Sequence, residues 1–591
     1  MTRSVDVLVV GAGPTGLTLA LQAHDHGAGV RVVERRPELF RPSRALILHP
    51  RTLETLRPLG VTDALLGLAD TAPSARLHLG SRVVEAGLAD LALPDTAFPH
   101  LSLIRQTDVE RVLAGALADR GVEVERGTEL VTVREAKDGA YAVLRSDGGA
   151  EEIRCSFVAG CDGPDSTVRA CAGVGWHGRP YAVEAVLADV ELAHEPDRAS
   201  AHEPDRASAH EPDRASAHEP DRASTPGPAR DPGPTSGPAT ASGRTAASAP
   251  TGVEAFAGRQ GLLLLFPLGE QAAWRLLATR AREPGPGPGS RPGDPGARPV
   301  FGRPGPAVPL AELRQLLRDA GSDARIERLA WSARVPLQYR LAAGFRRGRL
   351  FLLGDAAHNY SPATGQGMNA GIQDAVNLGW KLGFAVGAGD GGPEGRPDGD
   401  VLLDSYDRER RAVARRRLLL THTAFWAEAS TGRVPSWLRG VVAPRGAPAV
   451  PVLLERRRLV AEGVRVISQL RAGYRHSPLS VTGTPRLRGA PRPGDRLPDA
   501  TVSTGGPPRR LHHLLARPGV HLLLQRDAAP LPDAVAGPYV EVLRLASSPG
   551  HGLVAVRPDG HIGYTCAVVD PAALNGWLTL IGAAAPPADR P

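Results

Sequence analysis

Chemistry in this chain can begin at Asp355. Its carboxylate follows Leu350-Phe351-Leu352-Leu353-Gly354, the pattern of a buried strand that stops abruptly. A loop containing Pro362, Gly365 and Gly367 separates it from a helical pattern that starts near Met368. Ile372, Ala375, Val376, Gly379, Leu382 and Gly383 mark a small, apolar face on that helix. Open α/β sheets bind ligands at the carboxyl ends of their strands. A helix start at that edge adds free N–H groups and the positive end of a dipole. A carboxylate beside such a donor-rich end suits a ligand that carries a polyol and an anionic group.

A second candidate is Gly11-Ala12-Gly13-Pro14-Thr15-Gly16, which follows the apolar residues 5–10 and opens a helical pattern running to about Gly27. Val30-Arg31-Val32-Val33-Glu34 then closes a βαβ unit. GxGxxG alone is common. Between strand and helix, with an acid ending the next strand, it is the dinucleotide-binding pattern. Gly11 permits the tight turn, Gly13 lets a pyrophosphate approach the backbone, and Gly16 packs helix on strand. Glu34 takes the adenosine ribose hydroxyls and excludes a 2′-phosphate, despite Arg35 and Arg36 beside it. A third stretch, CSFVAGCDGPDSTVR at residues 155–169, places Asp162-Gly163 at a strand end and Arg169 about a turn into the next element. It also reads as a capped helix start, with Asp162 or Ser166 satisfying N–H groups.

The run GDAAH, P, GQGMN and IQDAVNLGWKL resembles the second flavin-binding motif of the class A flavoprotein monooxygenases, the para-hydroxybenzoate hydroxylase family. It is most similar to the aromatic polyketide hydroxylases and rifampicin-hydroxylating enzymes of that family, and Thr364 departs from their usual Gly. The resemblance implies FAD as the resident dinucleotide, with Gly354 and Asp355 at its ribityl chain and the backbone of Gly367, Met368 and Asn369 at the flavin pyrimidine edge. It matches Arg44 to an arginine near the pyrophosphate and flavin, and Gln106 to a glutamine that reaches FAD. By spacing and resemblance Leu130 or Val131 packs on the adenine, with Val131 the choice adopted. Residues Asp162, Gly163 and Arg169 match a third motif that contacts FAD and receives NADPH transiently. Pro362 borders the reactive face of the flavin. His358 is a candidate acid–base group or a structural residue, and no catalytic base is assigned.

The implied cycle consumes NADPH and O2, passes through a C4a-hydroperoxyflavin, and hydroxylates an electron-rich aromatic, polyketide or phenolic substrate. Baeyer–Villiger insertion, oxidation or reduction on the same fold, and a non-catalytic flavin-bound binding protein, are the alternatives. Fold alone does not choose among them.

Composition narrows the field further. The formal charge is +7, but Lys occurs only at 137 and 381 and the arginines are scattered. The densest basic run, residues 408–417, fits a solvated or carboxylate-paired helix face. Without a stacking platform or zinc-knuckle spacing, nucleic acid is not an expected partner. Cys155, Cys161, Cys171 and Cys566 make no CxxC and no metal spacing, which fits a reduced cytoplasmic protein without a metal. No apolar run reaches the roughly 18–20 residues needed to span a bilayer, and no signal layout opens the chain.

These stretches require an α/β architecture: a Rossmann-like FAD-binding domain, an interleaved middle β-sheet substrate domain and a C-terminal thioredoxin-like domain. The first is expected over residues 1–75, 101–180 and 340–400, and the second over 76–100 and 181–339. Residues 401–480 read as helical. Residues 490–585 resemble the thioredoxin-like tail of polyketide hydroxylases without its CxxC, leaving a structural role or association between subunits. Two inserts interrupt the middle domain. Residues 193–252 contain the octapeptide AHEPDRAS four times and a Pro/Gly/Ser tract, and 283–309 are rich in Pro and Gly. Both are expected to be disordered, because Pro in every repeat blocks helix continuation. In the middle sheet Phe256, Phe266 and Trp274 are candidates to line a substrate pocket, with core packing as their other reading.

Overall fold

Strand Ser4–Val10 is apolar throughout its second half because it is covered on both faces. The computed structural model describes residues 4–38, 46–80, 82–193, 252–258, 261–268, 272–282, 305–360, 365–387, 399–430, 432–532, 535 and 537–584. In it Ser4–Val10 is central in an eight-stranded sheet ordered Arg346–Arg347, Leu350–Leu352, Gly149–Gly160, Ser4–Val10, Val30–Glu34, Val124–Arg126. The run from Leu350–Leu352 to Val124–Arg126 is parallel. Gly139–Ser146 and Glu129–Ala136 extend the sheet antiparallel from Gly149–Gly160.

Helices Pro14–His24 and Gln366–Val386 lie against each other beside this sheet. Their approach depends on missing side chains: a Cβ on Gly379 or on Gly383 would come within 2.6 Å of the Cβ of Gln22 or His26. The expected single apolar face on Gln366–Val386 is too modest a description, since 18 of its 21 residues are buried. Trp380 and Phe384 on its far side enter a core with Leu479, Val520, Leu522, Leu574 and Trp577 of the C-terminal domain.

A second eight-stranded sheet runs His358–Asn359, Arg325–Ala342, Trp176–Ala193, Trp274–Ala281, Gly261–Phe266, Val253–Gly258, Ser74–Leu79, Arg82–Gly87. Its two long strands, Trp176–Ala193 and Arg325–Ala342, pair antiparallel. The segment carrying Asp355 therefore joins both sheets, with Leu350–Leu352 in the first and His358–Asn359 in the second. Helix Leu310–Ala320 packs on one face through Leu313 and Leu317. The other face carries Ala185, Leu187, Leu277 and Val335.

The AHEPDRAS repeats lie outside the described residues, apart from Ala193 at a strand end. The second insert ends earlier than expected. Residues 305–309 are ordered against the sheet, with Gly305 donating to the Arg334 carbonyl at 2.9 Å and Val308 buried. After Gly399 a run of helices leads to the C-terminal five-stranded sheet, ordered Val481–Thr482, Ile562–Cys566, Leu553–Val556, Val520–Gln525, Val540–Leu545. A buried ionic knot ties that domain to the central helix. Glu409 accepts from Lys381 at 2.9 Å and from both Arg557 guanidinium ends at 2.7 and 2.8 Å, and Arg557 also pairs with Asp559. Among the described residues no helix is long and apolar enough to cross a membrane.

Candidate active site

One cleft of about 990 Å³ runs from the Gly11–Gly16 loop, between the two sheets, to Val335, Pro336, Leu337 and Gln338. At this end the loop glycines do separate jobs. Gly11 has φ +102°, and a Cβ there would sit 2.4 Å from the Cys161 carbonyl oxygen. A Cβ on Gly16 would sit 1.9 Å from the Gly11 carbonyl oxygen. Around Gly13 there is open space, and the helix it starts has no side-chain cap, so its N–H groups face the cleft uncommitted to any side chain. Glu34 is 5% exposed, and its Oε2 accepts from Ala12 N–H at 3.0 Å. Its Oε1 accepts from the backbone and guanidinium of Arg36 at 3.0 and 2.9 Å. Burial works against the charge, but the Arg36 guanidinium and these N–H groups hold the carboxyl below its usual range. Arg35, Gln106 and Leu130 also line this end. Val131 does not: a bulge after Leu130 turns it outward, 42% exposed.

In the middle of the cleft stand Thr15, Asp162, Gly163, Asp355, Gln366, Gly367 and Met368. Gly354, at φ +55°, and Gly371 let Thr15 Oγ1 come close, where a Cβ would approach to 2.7 and 2.2 Å. Helix Gln366–Val386 starts from Gly365 in the left-handed region, without a side-chain cap. Gln366 is fully buried at the cleft wall, and both of its amide atoms lack a partner. Asp162 caps the next helix through Oδ2, accepting from Thr167 N at 2.7 Å, while its buried Oδ1 has no partner. Burial raises its pKa.

Several residues from the sequence reading stand beside the cleft. Asn369 turns its side chain away, donating to the Ile47 and Gly365 carbonyls at 2.9 Å each and accepting from Thr52 Oγ1 at 2.7 Å. Arg169 donates to the Ala356 and Pro164 carbonyls at 2.9 and 2.6 Å and lies over Trp176, so it fastens the loops and leaves the cleft wall to others. His358 is buried against Asp374. Arg44 and Pro362 lie outside the described residues.

The apolar end is the C-terminal half of Arg325–Ala342 with Asn359 and Tyr360. Phe256 and Trp274 point from the opposite sheet face into the core under helix Leu310–Ala320. Phe266 packs with Leu46 and Leu103 on the cleft side, though it is not in the cleft wall. Strand alternation separates two faces without telling which one meets the cleft. That is why Leu337 was missed, whereas Tyr360 is legible from its place on the flavin-side loop.

The donor set fits a flavin adenine dinucleotide. An acid stands at the ribose position, an open glycine at one helix start, a carboxylate at mid-cleft, and a second uncapped helix start carries an orphaned buried amide. Among the described residues no group of His, Cys, Asp and Glu could hold a metal ion.

Comparisons with known proteins agree. An FAD-binding domain model matches residues 4–225 and 303–420, and a model of the C-terminal domain of aromatic-ring hydroxylases matches residues 490–584. The chain is 30% identical to a 12-dehydrotetracycline 5-monooxygenase/anhydrotetracycline 6-monooxygenase of Streptomyces rimosus, over 95% of each chain. It is 34% identical to a rifampicin monooxygenase of Streptomyces venezuelae, over 69% of this chain and 68% of that one. The solved anhydrotetracycline hydroxylase of Streptomyces rimosus superposes with a TM-score of 0.67 at 25% identity, covering 99% of this chain and 100% of that one.

Proposed function

Because the chain belongs to the FAD-binding aromatic-ring hydroxylase family and is an FAD-dependent monooxygenase, we propose that it hydroxylates a polycyclic phenolic or polyketide substrate with NADPH and O2. The continuity of the cleft carries this reading, since cofactor space and apolar substrate space are one cavity. When bound, FAD supplies the electron transfer and oxygen activation that no side chain here provides.

The residues bind, orient and shield. Glu34 accepts the ribose hydroxyls, and its existing bonds to Ala12 and Arg36 hold it ready. The helix start at Gly13 takes the pyrophosphate through backbone N–H groups, with Arg35 at the rim. Asp355 accepts from the polyol chain, while Gln366 and the N–H groups of Gly367 and Met368 face the flavin edge that gains negative charge on reduction. Val335, Leu337 and Tyr360 exclude water where the aromatic ring sits. His358 does not act as the base in this reading. It is a positioning residue held by Asp374, and it anchors the Asp355 loop.

The test is anaerobic stopped-flow reduction of the purified yellow protein by NADPH with a panel of hydroxylated polycyclic aromatics. Some members should accelerate flavin bleaching, and none of the matched non-aromatic compounds should. Equal rates with and without every aromatic would contradict the proposal.

A further inference from the structure

Residues 408–417 were expected to form a solvated or carboxylate-paired face, yet Arg410 and Arg417 are 2% and 6% exposed. Arg410 has a counter-ion in Asp374, 2.6 Å from its Nε. Arg417 has none. Its Nη2 donates to the Ile467 carbonyl at 2.6 Å, its Nη1 is buried without a hydrogen-bond partner, and no ion pair reaches it among the described residues. The carboxylate whose field reaches Arg417, Asp374, already accepts from His358, Arg410 and Gly354.

A guanidinium taken out of water without a counter-ion is strongly unfavourable. Burial accordingly pulls the Arg417 pKa down to about 10. The chain just beyond the Ile467 carbonyl is also unsatisfied. Next to the Ile467 carbonyl stand Ser468, whose buried hydroxyl has no partner, and Gln469, whose two amide atoms have none. Gln469 is held at φ +62°, a region that non-glycine residues rarely adopt. His49, 2% exposed, faces both Arg417 and the Ile467 carbonyl, and its Nδ1 is unpartnered. Tyr360 lies in the field of Arg417 and lines the cleft. Water could satisfy the amide and hydroxyl, but it leaves the charge uncompensated. The pattern of one cation and several free donors is that of an anion site.

We propose that Arg417, with Ser468 and Gln469, forms a subsite for a monovalent anion behind Tyr360, at the substrate end of the cleft. The anion is either the ionised hydroxyl of the aromatic substrate or a free halide such as chloride. The first source rests on the aromatic monooxygenase reading; the second is independent of it.

Two measurements on the full-length holoenzyme separate these cases. Thermal unfolding is followed in sodium chloride and in sodium gluconate at equal ionic strength. Binding of 2-hydroxy-1,4-naphthoquinone, ionised at neutral pH, is compared with that of neutral 2-methyl-1,4-naphthoquinone by flavin fluorescence. Chloride should raise the melting temperature of wild type and not of Arg417→Met, or the ionised quinone should bind about tenfold or more tighter than the neutral one in wild type only. A chloride effect alone assigns the free halide. A quinone preference that chloride competes away assigns the substrate hydroxyl, and turnover failure would leave the chloride result standing. Absence of both effects in wild type overturns the subsite, as does an effect that survives in Arg417→Met. Should that variant not fold, Gln469→Leu keeps the charge and removes one donor set. It should weaken whichever effect wild type shows, and an unchanged effect overturns the assignment.

Discussion

His358 Nε2 lies 2.5 Å from Asp374 Oδ2 in the core of the protein. The same carboxylate accepts from Gly354 N at 3.1 Å and from Arg410 Nε at 2.6 Å. One helix residue thus fixes the strand end before Asp355, the loop after it and the helix that follows. Burial opposes its charge, but His358 and Arg410 hold its pKa below the usual carboxylate range. Asp374→Asn would leave Arg410 uncompensated in the interior, a loss of about 3–5 kcal/mol. Urea unfolding should show that loss, and the purified variant should be depleted of flavin. Wild-type stability and full flavin content would mean that the carboxylate does not hold the loop.

Gly13→Asp and Gly11→Ala should fail in different ways. Nothing lies within 4 Å of a Cβ at Gly13, so that variant should fold with nearly wild-type stability while its carboxylate repels the pyrophosphate. Gly11→Ala forces a Cβ to 2.4 Å from the Cys161 carbonyl oxygen at positive φ, and both fold and flavin content should suffer. Melting temperature and flavin absorbance, read together, separate the two. A fully yellow Gly13→Asp protein would remove the dinucleotide assignment.

Some of this was legible in sequence and some was not, for physical reasons. The glycine loop and Glu34 are read from neighbours in the chain, because turn, helix start and strand end are local. Asn369, Arg169 and His358 owe their roles to Ile47, Ala356 and Asp374, partners that only the folded chain brings near. Motif position placed the Asn369 backbone and Arg169 by the flavin and left His358 open between two roles; the side-chain bonds of all three run to the scaffold. Phe256 and Trp274 failed as wall residues because a strand pattern does not tell which face another domain covers. The buried guanidinium of Arg417 bonds the carbonyl of Ile467, distant in sequence.

Asn369→Asp illustrates the difference. Motif position makes it a charge placed near the flavin edge in an intact fold. Its Nδ2 in fact donates to two carbonyls, and an aspartate oxygen there would face both of them. A loss of about 2–4 kcal/mol is expected, from two broken bonds and a buried carboxylate oxygen set against two carbonyls. Differential scanning calorimetry should show a clear drop in melting temperature, and an unchanged value would mean the side chain is not held as described.

His26 makes acid weaken the fold below the ordinary histidine pKa. His26 is fully buried between Phe384 and Tyr539, and burial lowers its pKa from 6.5 to about 4. Between these values the unfolded chain binds more protons than the folded one, so stability rises with pH across the window. Below about 4 the histidine is protonated in both states and adds no further slope. His26→Phe should flatten that part of the curve in urea unfolding measured at a series of pH values. A slope equal to wild type would contradict the assignment.

If one cleft holds FAD and an aromatic ring within reach of each other, an oxygen atom from O2 should enter that ring. Turnover under 18O2 with NADPH, followed by mass spectrometry of the aromatic product, tests it most directly. One labelled oxygen atom is expected in a hydroxylated product, its yield falling with Glu34→Ala in step with lost flavin. NADPH oxidation that returns all the label as hydrogen peroxide, for every aromatic that speeds flavin reduction, would contradict it.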